Sequence, residues 1–137
     1  MADILILDSE ALNAVAHAAE GGSRGRRAAA VLRFVHQSHF HVRIPAAILV
    51  EICRGGGQDA ALNLVIPKLG VVVPTTDGIA RQAGQLLHER GLNSSHAIDA
   101  IVVATAIKAG GAFILTHDID DIAALAAGHP NVVPYAV

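Results

Sequence analysis

One cysteine, one tyrosine, three phenylalanines and no tryptophan leave this 137-residue chain poor in both thiols and aromatic rings. A lone Cys53 excludes an internal disulfide and a zinc site built on cysteine pairs. It fits a reducing compartment and is read as a small core hydrophobe. Sparse aromatics argue against base stacking as the main grip on single-stranded RNA, and leave shape, phosphates and arginines as the means of recognition. Charged residues make up only 16% of the chain, and the formal net charge of -2 supplies no global attraction to nucleic acid. No uninterrupted apolar run reaches about 18 residues, and the Met1-Ala-Asp-Ile-Leu5 opening has no basic start. Neither a membrane span nor export is therefore expected, and the expected compartment is the cytoplasm.

What the chain does have is aliphatic bulk, 53% hydrophobic residues dominated by Ala, Val, Ile and Leu. That suffices for a single domain over residues 1–137 that buries roughly two thirds of its unfolded surface. Ile4 to Leu7 is a continuous apolar run ending at Asp8, the pattern of a strand buried on both faces. A helix follows, with Ser9 as its cap and Ala11, Leu12, Val15 and Ala18 on its apolar side, until Gly21-Gly22. Ser23 to Ser38 reads as a second amphipathic helix, Val42 to Ile44 as a strand, and Ala46 to about Arg54 as a third helix entered through Pro45. The Gly55-Gly56-Gly57 connector precedes a helix over Gln58 to Lys68, a strand over Val71 to Val73 and a helix over Asp77 to Arg90. Asn93-Ser94-Ser95 caps the next helix, which Gly110-Gly111 ends. A strand over Phe113 to Leu115, a helix through Ile122 and Leu125, and a strand at Val132 and Val133 complete the chain. Strands alternating with helices predict a three-layer α/β/α sandwich around a mainly parallel sheet of four to five strands.

Within this pattern one charge stands out. His96-Ala-Ile-Asp99-Ala-Ile-Val-Val-Ala-Thr-Ala-Ile-Lys108 is apolar on every side and is expected to be buried all round. Asp99 is its only carboxylate, and an ionised buried carboxylate calls for a partner or a cation. Asp8 and Asp118 each follow an apolar strand, and Glu51 is the single acid of Ile48-Leu-Val-Glu-Ile-Cys53. A parallel α/β topology gathers strand ends and helix starts on one edge, where ligands bind at a switch point. Four carboxylates meeting there repel one another unless a hard divalent cation, Mg²⁺ or Mn²⁺, joins them. Each also has an ordinary reading: Asp8 and Asp118 as helix caps, Glu51 paired with Arg54, Asp99 paired with an arginine.

The segments Ile4-Leu-Ile-Leu-Asp8-Ser9, Pro45 to Arg54 with Glu51, Ile98-Asp99-Ala100 through Ala104, and Leu115-Thr116-His-Asp118-Ile-Asp-Asp121-Ile122 resemble, in order and spacing, the acidic motifs of PIN-domain ribonucleases, specifically VapC-type toxins. The resemblance spans essentially the whole chain. It implies a PIN-like fold and a Mg²⁺- or Mn²⁺-dependent endoribonuclease, the toxin of a toxin-antitoxin pair. It also implies a homodimer whose cognate antitoxin places its tail in the active-site groove. On this reading Asp8, Glu51, Asp99 and Asp118 take the catalytic positions, and Asp8, Asp99 and Asp118 hold metal. Asp121 is the next candidate, Ser9 and Thr116 are hydrogen-bond supports, and Asp120 is a surface residue. One departure is Ser9-Glu10 where many relatives carry Thr-Ser after the first aspartate.

Other features carry less. His36, His39 and His41 match no zinc-site spacing; His117, beside Asp118, could approach substrate but reads first as a surface-turn histidine. Arg24, Arg26, Arg27, Arg33 and Arg43 concentrate positive charge in the first third of the chain, on a solvated helix or against phosphate. Two other functions remain open. An aspartyl phosphotransfer enzyme would use Asp8 as nucleophile, although Asp8-Ser9-Glu10 lacks the Asp-x-Asp of that chemistry. A non-catalytic regulatory module would receive a partner's arginine in an acidic groove.

Overall fold

A computed structural model of the chain describes residues 3–17 and 22–136, apart from the side chains of Arg24 and Ser38. Ala18, Gly21 and the Arg24 side chain, which figured in the sequence reading, lie outside the described residues. The elements run β1 (Ile4–Leu7), α1 (Ser9–Ala16), α2 (Gly22–Ser38), β2 (His41–Pro45), α3 (Leu49–Ile52), α4 (Ala60–Leu69), β3 (Val71–Val73), α5 (Asp77–Glu89), α6 (Ala97–Lys108), β4 (Ala112–Thr116), α7 (Ile119–Leu125) and β5 (Val132–Ala136). Short 3₁₀ turns lead into α3, α4 and α6.

The five strands form one sheet, parallel at every pairing, in the order β3-β2-β1-β4-β5. Leu5, Ile6 and Leu7 in β1 have no solvent exposure at all, as a central strand covered on both faces requires. At the edge, β3 exposes Val71 and Val72. The chain builds from β1 outward to β2 and β3, then crosses back to place β4 on the other side of β1. Right-handed crossovers put the helices before and after that reversal on opposite faces. The helix contacts agree: α1 packs with α2, α3 and α4, whereas α6 packs with α5 and α7.

The reversal makes the gap between β1 and β4 the switch point of the sheet. The register there is Leu7 beside Leu115, and the Asp8 amide donates to the Leu115 carbonyl at 3.1 Å. The ends of the two strands are thus held together by main-chain hydrogen bonding just where both chains turn into helices.

Four expectations change. Asp8, not Ser9, caps α1: the strand stops at Leu7 and Ser9 is already helical, so the Ala11 amide donates to the Asp8 carboxylate at 2.9 Å. The third helix is shorter than Ala46 to Arg54, with a 3₁₀ turn over Ala46–Ile48 and α-helix only to Ile52. Nor is α6 buried all round. Ala100 and Val102 to Ala106 are buried, while Ala97, Ile98 and Asp99 in the first turn are only partly covered, because that turn emerges at the sheet edge. Cys53 is likewise half-buried instead of central to the core.

Candidate active site

Asp8 is carried by the end of β1 and is almost fully buried, at 6% exposure. Its two oxygens are both engaged: the Ala11 amide donates to Oδ1 at 2.9 Å and the His117 amide to Oδ2 at 3.1 Å. The Thr116 hydroxyl also bonds the carboxylate, and the Thr116 Oγ1 accepts the Asp118 amide at 2.9 Å. One fully buried threonine therefore ties the end of β1 to the turn after β4. Burial pushes the Asp8 carboxyl above its ordinary range; the hydrogen bonds from Ala11, Thr116 and His117 oppose that rise, and the Asp118 charge adds to it. A carboxylate fixed in this way is a rigid wall of the site and a poor nucleophile.

Asp99 enters from α6, in its first turn, and is half-buried. Its carboxyl is raised to about 6, first by burial and then, in descending order, by the negative charges of Asp118, Asp121, Glu51 and Asp8. These are the acids that the sequence singles out, Asp121 included as the next candidate, and they come from five separate places: the end of β1, α3, the start of α6, the turn after β4, and α7. The fold brings their charges within reach of one carboxyl.

Asp118 is exposed and stands at the N-cap of α7, yet its side chain caps nothing. The capping reading is excluded, and its oxygens face solvent beside a depression of about 240 Å³ lined by His117, Asp118, Ile119, Asp120 and Asp121. Glu51 is exposed as well. Arg54 does not pair with its carboxylate; the guanidinium donates instead to the Glu51 main-chain carbonyl at 2.9 Å. Ser9 forms no side-chain hydrogen bond among the described residues, so a supporting role for it finds no contact. Glu10 is turned toward Arg27, 3.2 Å away, and that ion pair offsets its charge.

The tightest donor set includes a residue the sequence reading passed over. His96, Asp99 and Asp121 each offer one ligand atom, and the three atoms lie within 4.8 Å of one another. Asp8 and Asp118 act on Asp99 through space but are not in this close set. His96 was legible in principle: in Asn93-Ser-Ser-His96-Ala-Ile-Asp99 it precedes Asp99 by three residues, one helical turn, which places both side chains on one face. Carboxylates and an imidazole, crowded, half-exposed and mutually repelling, fit a divalent cation.

The family model described as PIN domain matches residues 5–128. No curated protein matches the sequence. Among solved structures, the crystal structure of VapBC2 from Rickettsia felis bound to a DNA fragment from their promoter contains a chain 15% identical to this one, with a TM-score of 0.66, covering 98% of each chain. At that identity the likeness is one of fold.

Proposed function

Given that the chain belongs to the PIN-domain family, we propose that it is a divalent-metal-dependent endoribonuclease, the toxin of a toxin-antitoxin pair acting in the cytoplasm, with residues 1–137 forming one domain. One observation carries the reading: five carboxylates from separate places converge at the switch point, where burial first and then four neighbouring negative charges raise Asp99 to about 6, an arrangement that repels itself unless a cation neutralises it.

Asp99 and Asp121, with Asp118 beside them, would hold the cation, Mg²⁺ or Mn²⁺. When bound it supplies a lowered pKa for water and neutralises charge on the phosphodiester oxygens. Asp8, locked by two amides and Thr116, keeps the strand ends and the Asp118 turn in register. Glu51, exposed and with its carboxylate unbonded, would accept the proton of the attacking water. The water oxygen bonds to phosphorus, the bond to the departing ribose oxygen breaks, and that oxygen takes up a proton from solvent. The open edge at the Asp118 turn suits a polymer that lies across the site better than a small enclosed substrate.

Support for a protein partner comes from the fold likeness to VapBC2, and a cognate antitoxin would present a cation to the same acidic edge. A homodimer belongs to the same reading. The aspartyl phosphotransfer alternative loses ground because both Asp8 oxygens are engaged. The test is incubation of the partner-free chain with total RNA in Mn²⁺, Mg²⁺ or EDTA, with mapping of new ends. Cleavage in metal that disappears in EDTA and in Asp99→Asn is the expected result. Intact RNA in every metal, with the acidic edge still binding a cationic partner peptide, would leave a regulatory module instead.

A further inference from the structure

The close donor set is not made of oxygens alone. The His96 imidazole lies within 4.8 Å of carboxylate oxygens of both Asp99 and Asp121, yet it forms no hydrogen bond or ion pair with either. A histidine that merely balanced the acids would bond to one of them. The three donor atoms lie within 4.8 Å of one another, and a cation about 2.1 Å from each needs them about 3 to 4 Å apart, a spacing that small side-chain rotations reach. His96 is also well fixed at its base. It ends the 3₁₀ turn Ser94–His96, its amide donates to the Asn93 carbonyl at 3.2 Å, and the turn is capped by the Asn93 side chain.

We propose that His96 is a direct ligand of the cation and gives the site a preference for Mn²⁺ over Mg²⁺. Mg²⁺ favours an all-oxygen shell and retains its waters, whereas imidazole nitrogen suits the first-row transition metals. A site of one imidazole and two carboxylates therefore discriminates between the two ions where a purely carboxylate site scarcely does. The inference rests on the cation of the preceding section but not on RNA cleavage.

The test uses the full chain, stripped with EDTA and free of RNA. Titration calorimetry with Mn²⁺ and then Mg²⁺ gives the affinity ratio, and pulsed electron paramagnetic resonance of the Mn²⁺-loaded protein reads nitrogen bound to the metal. The wild-type chain should bind Mn²⁺ at least about tenfold more tightly than Mg²⁺ and show a nitrogen coupling. His96→Asn should abolish the coupling and narrow the ratio toward unity, while Asp120→Asn leaves both unchanged. The wild-type coupling needs no variant, so a misfolded variant does not protect the proposal. Absence of the coupling in wild type, its survival in His96→Asn with loss in His117→Asn, or equal affinity for the two ions would overturn it. Nitrogen coupling without RNA cleavage removes the nuclease reading and leaves this one standing; cleavage without nitrogen coupling does the reverse.

Discussion

At Asp99, partial burial and four neighbouring negative charges act in the same direction, raising its carboxyl. An unfolded aspartate titrates near about 3.9, and the folded group near about 6. The folded state therefore holds the proton more tightly, and ionising Asp99 costs stability. That cost is absent below the unfolded value, grows as pH rises from about 4 to about 6, and is complete above. Two units correspond to about 3 kcal/mol, which solvent screening of a half-exposed group reduces to about 1 kcal/mol. In EDTA, Asp99→Asn should be more stable than wild type by that amount at pH 7.5 and equal to it at pH 4, as urea denaturation would measure. The same variant should lose at least about 100-fold in metal-dependent cleavage. A second residue-scale test concerns Thr116, whose hydroxyl bonds Asp8 and accepts the Asp118 amide. Thr116→Val keeps the shape and leaves the part-buried Asp118 amide without its acceptor, so it should cost about 1 kcal/mol in unfolding free energy and about tenfold in cleavage. Thr116→Ser should recover most of both.

Among the elements, the link between α6 and β4 combines a left-handed backbone with a close approach from another segment. Gly111 sits at φ +119°, and a Cβ there would lie 2.7 Å from the Asn131 Cβ and 2.8 Å from the Asn131 carbonyl oxygen. It precedes Ala112, whose amide donates to that same carbonyl and whose register partner is Val132. Gly110, at φ +86°, has nothing within 4 Å of a built Cβ. Gly110→Ala should therefore cost about 1–2 kcal/mol from backbone conformation alone, while Gly111→Ala adds displacement of β5 and should cost about 3 kcal/mol or more. Thermal melts of the two variants would separate these costs. The sequence already marked the Gly pair as the end of α6, since a helix period stops there, but the demand that Gly111 be small comes from Asn131, 20 residues away just before β5, and has no local signature. The same division holds elsewhere. Apolar runs at Ile4 to Leu7 and Phe113 to Leu115 identify buried strands because burial on both faces leaves no polar positions. The cap of α1 was misplaced by one residue because Asp8 and Ser9 are equally good capping types and only the strand's end decides between them. The half-exposure of Asp99 was hidden for a related reason: composition says that a helix is apolar, and topology says which turn of it reaches the edge.

For the whole molecule, the return crossover that places β4 beside β1 decides where charge accumulates. It assembles acids that are up to 113 positions apart, Asp8 and Asp121, on one edge of a chain whose formal net charge is only -2. The types and order of those acids were readable from the sequence, since each interrupts or ends an apolar run. His96 was readable only in part: its spacing to Asp99 lies in the sequence, but its place in the donor set depends on Asp121 arriving from α7. Such a cluster couples metal binding to folding: a ligand bound only by the native state stabilises it by about 2.7 kcal/mol at one hundred times its dissociation constant. For a domain of this size the expected rise in melting temperature is about 8 °C at pH 7.5 in saturating Mn²⁺, reversed by EDTA. The rise must shrink as pH falls through 6, because protonated Asp99 gives up a ligand charge and the metal has to displace that proton. It must also vanish in Asp99→Asn, whose metal-free form already lacks the repulsion that the cation relieves. A Mn²⁺ effect of equal size in wild type and Asp99→Asn, or one indifferent to pH between 5 and 7.5, would place the stabilising ion away from this edge and detach the acidic cluster from metal binding altogether.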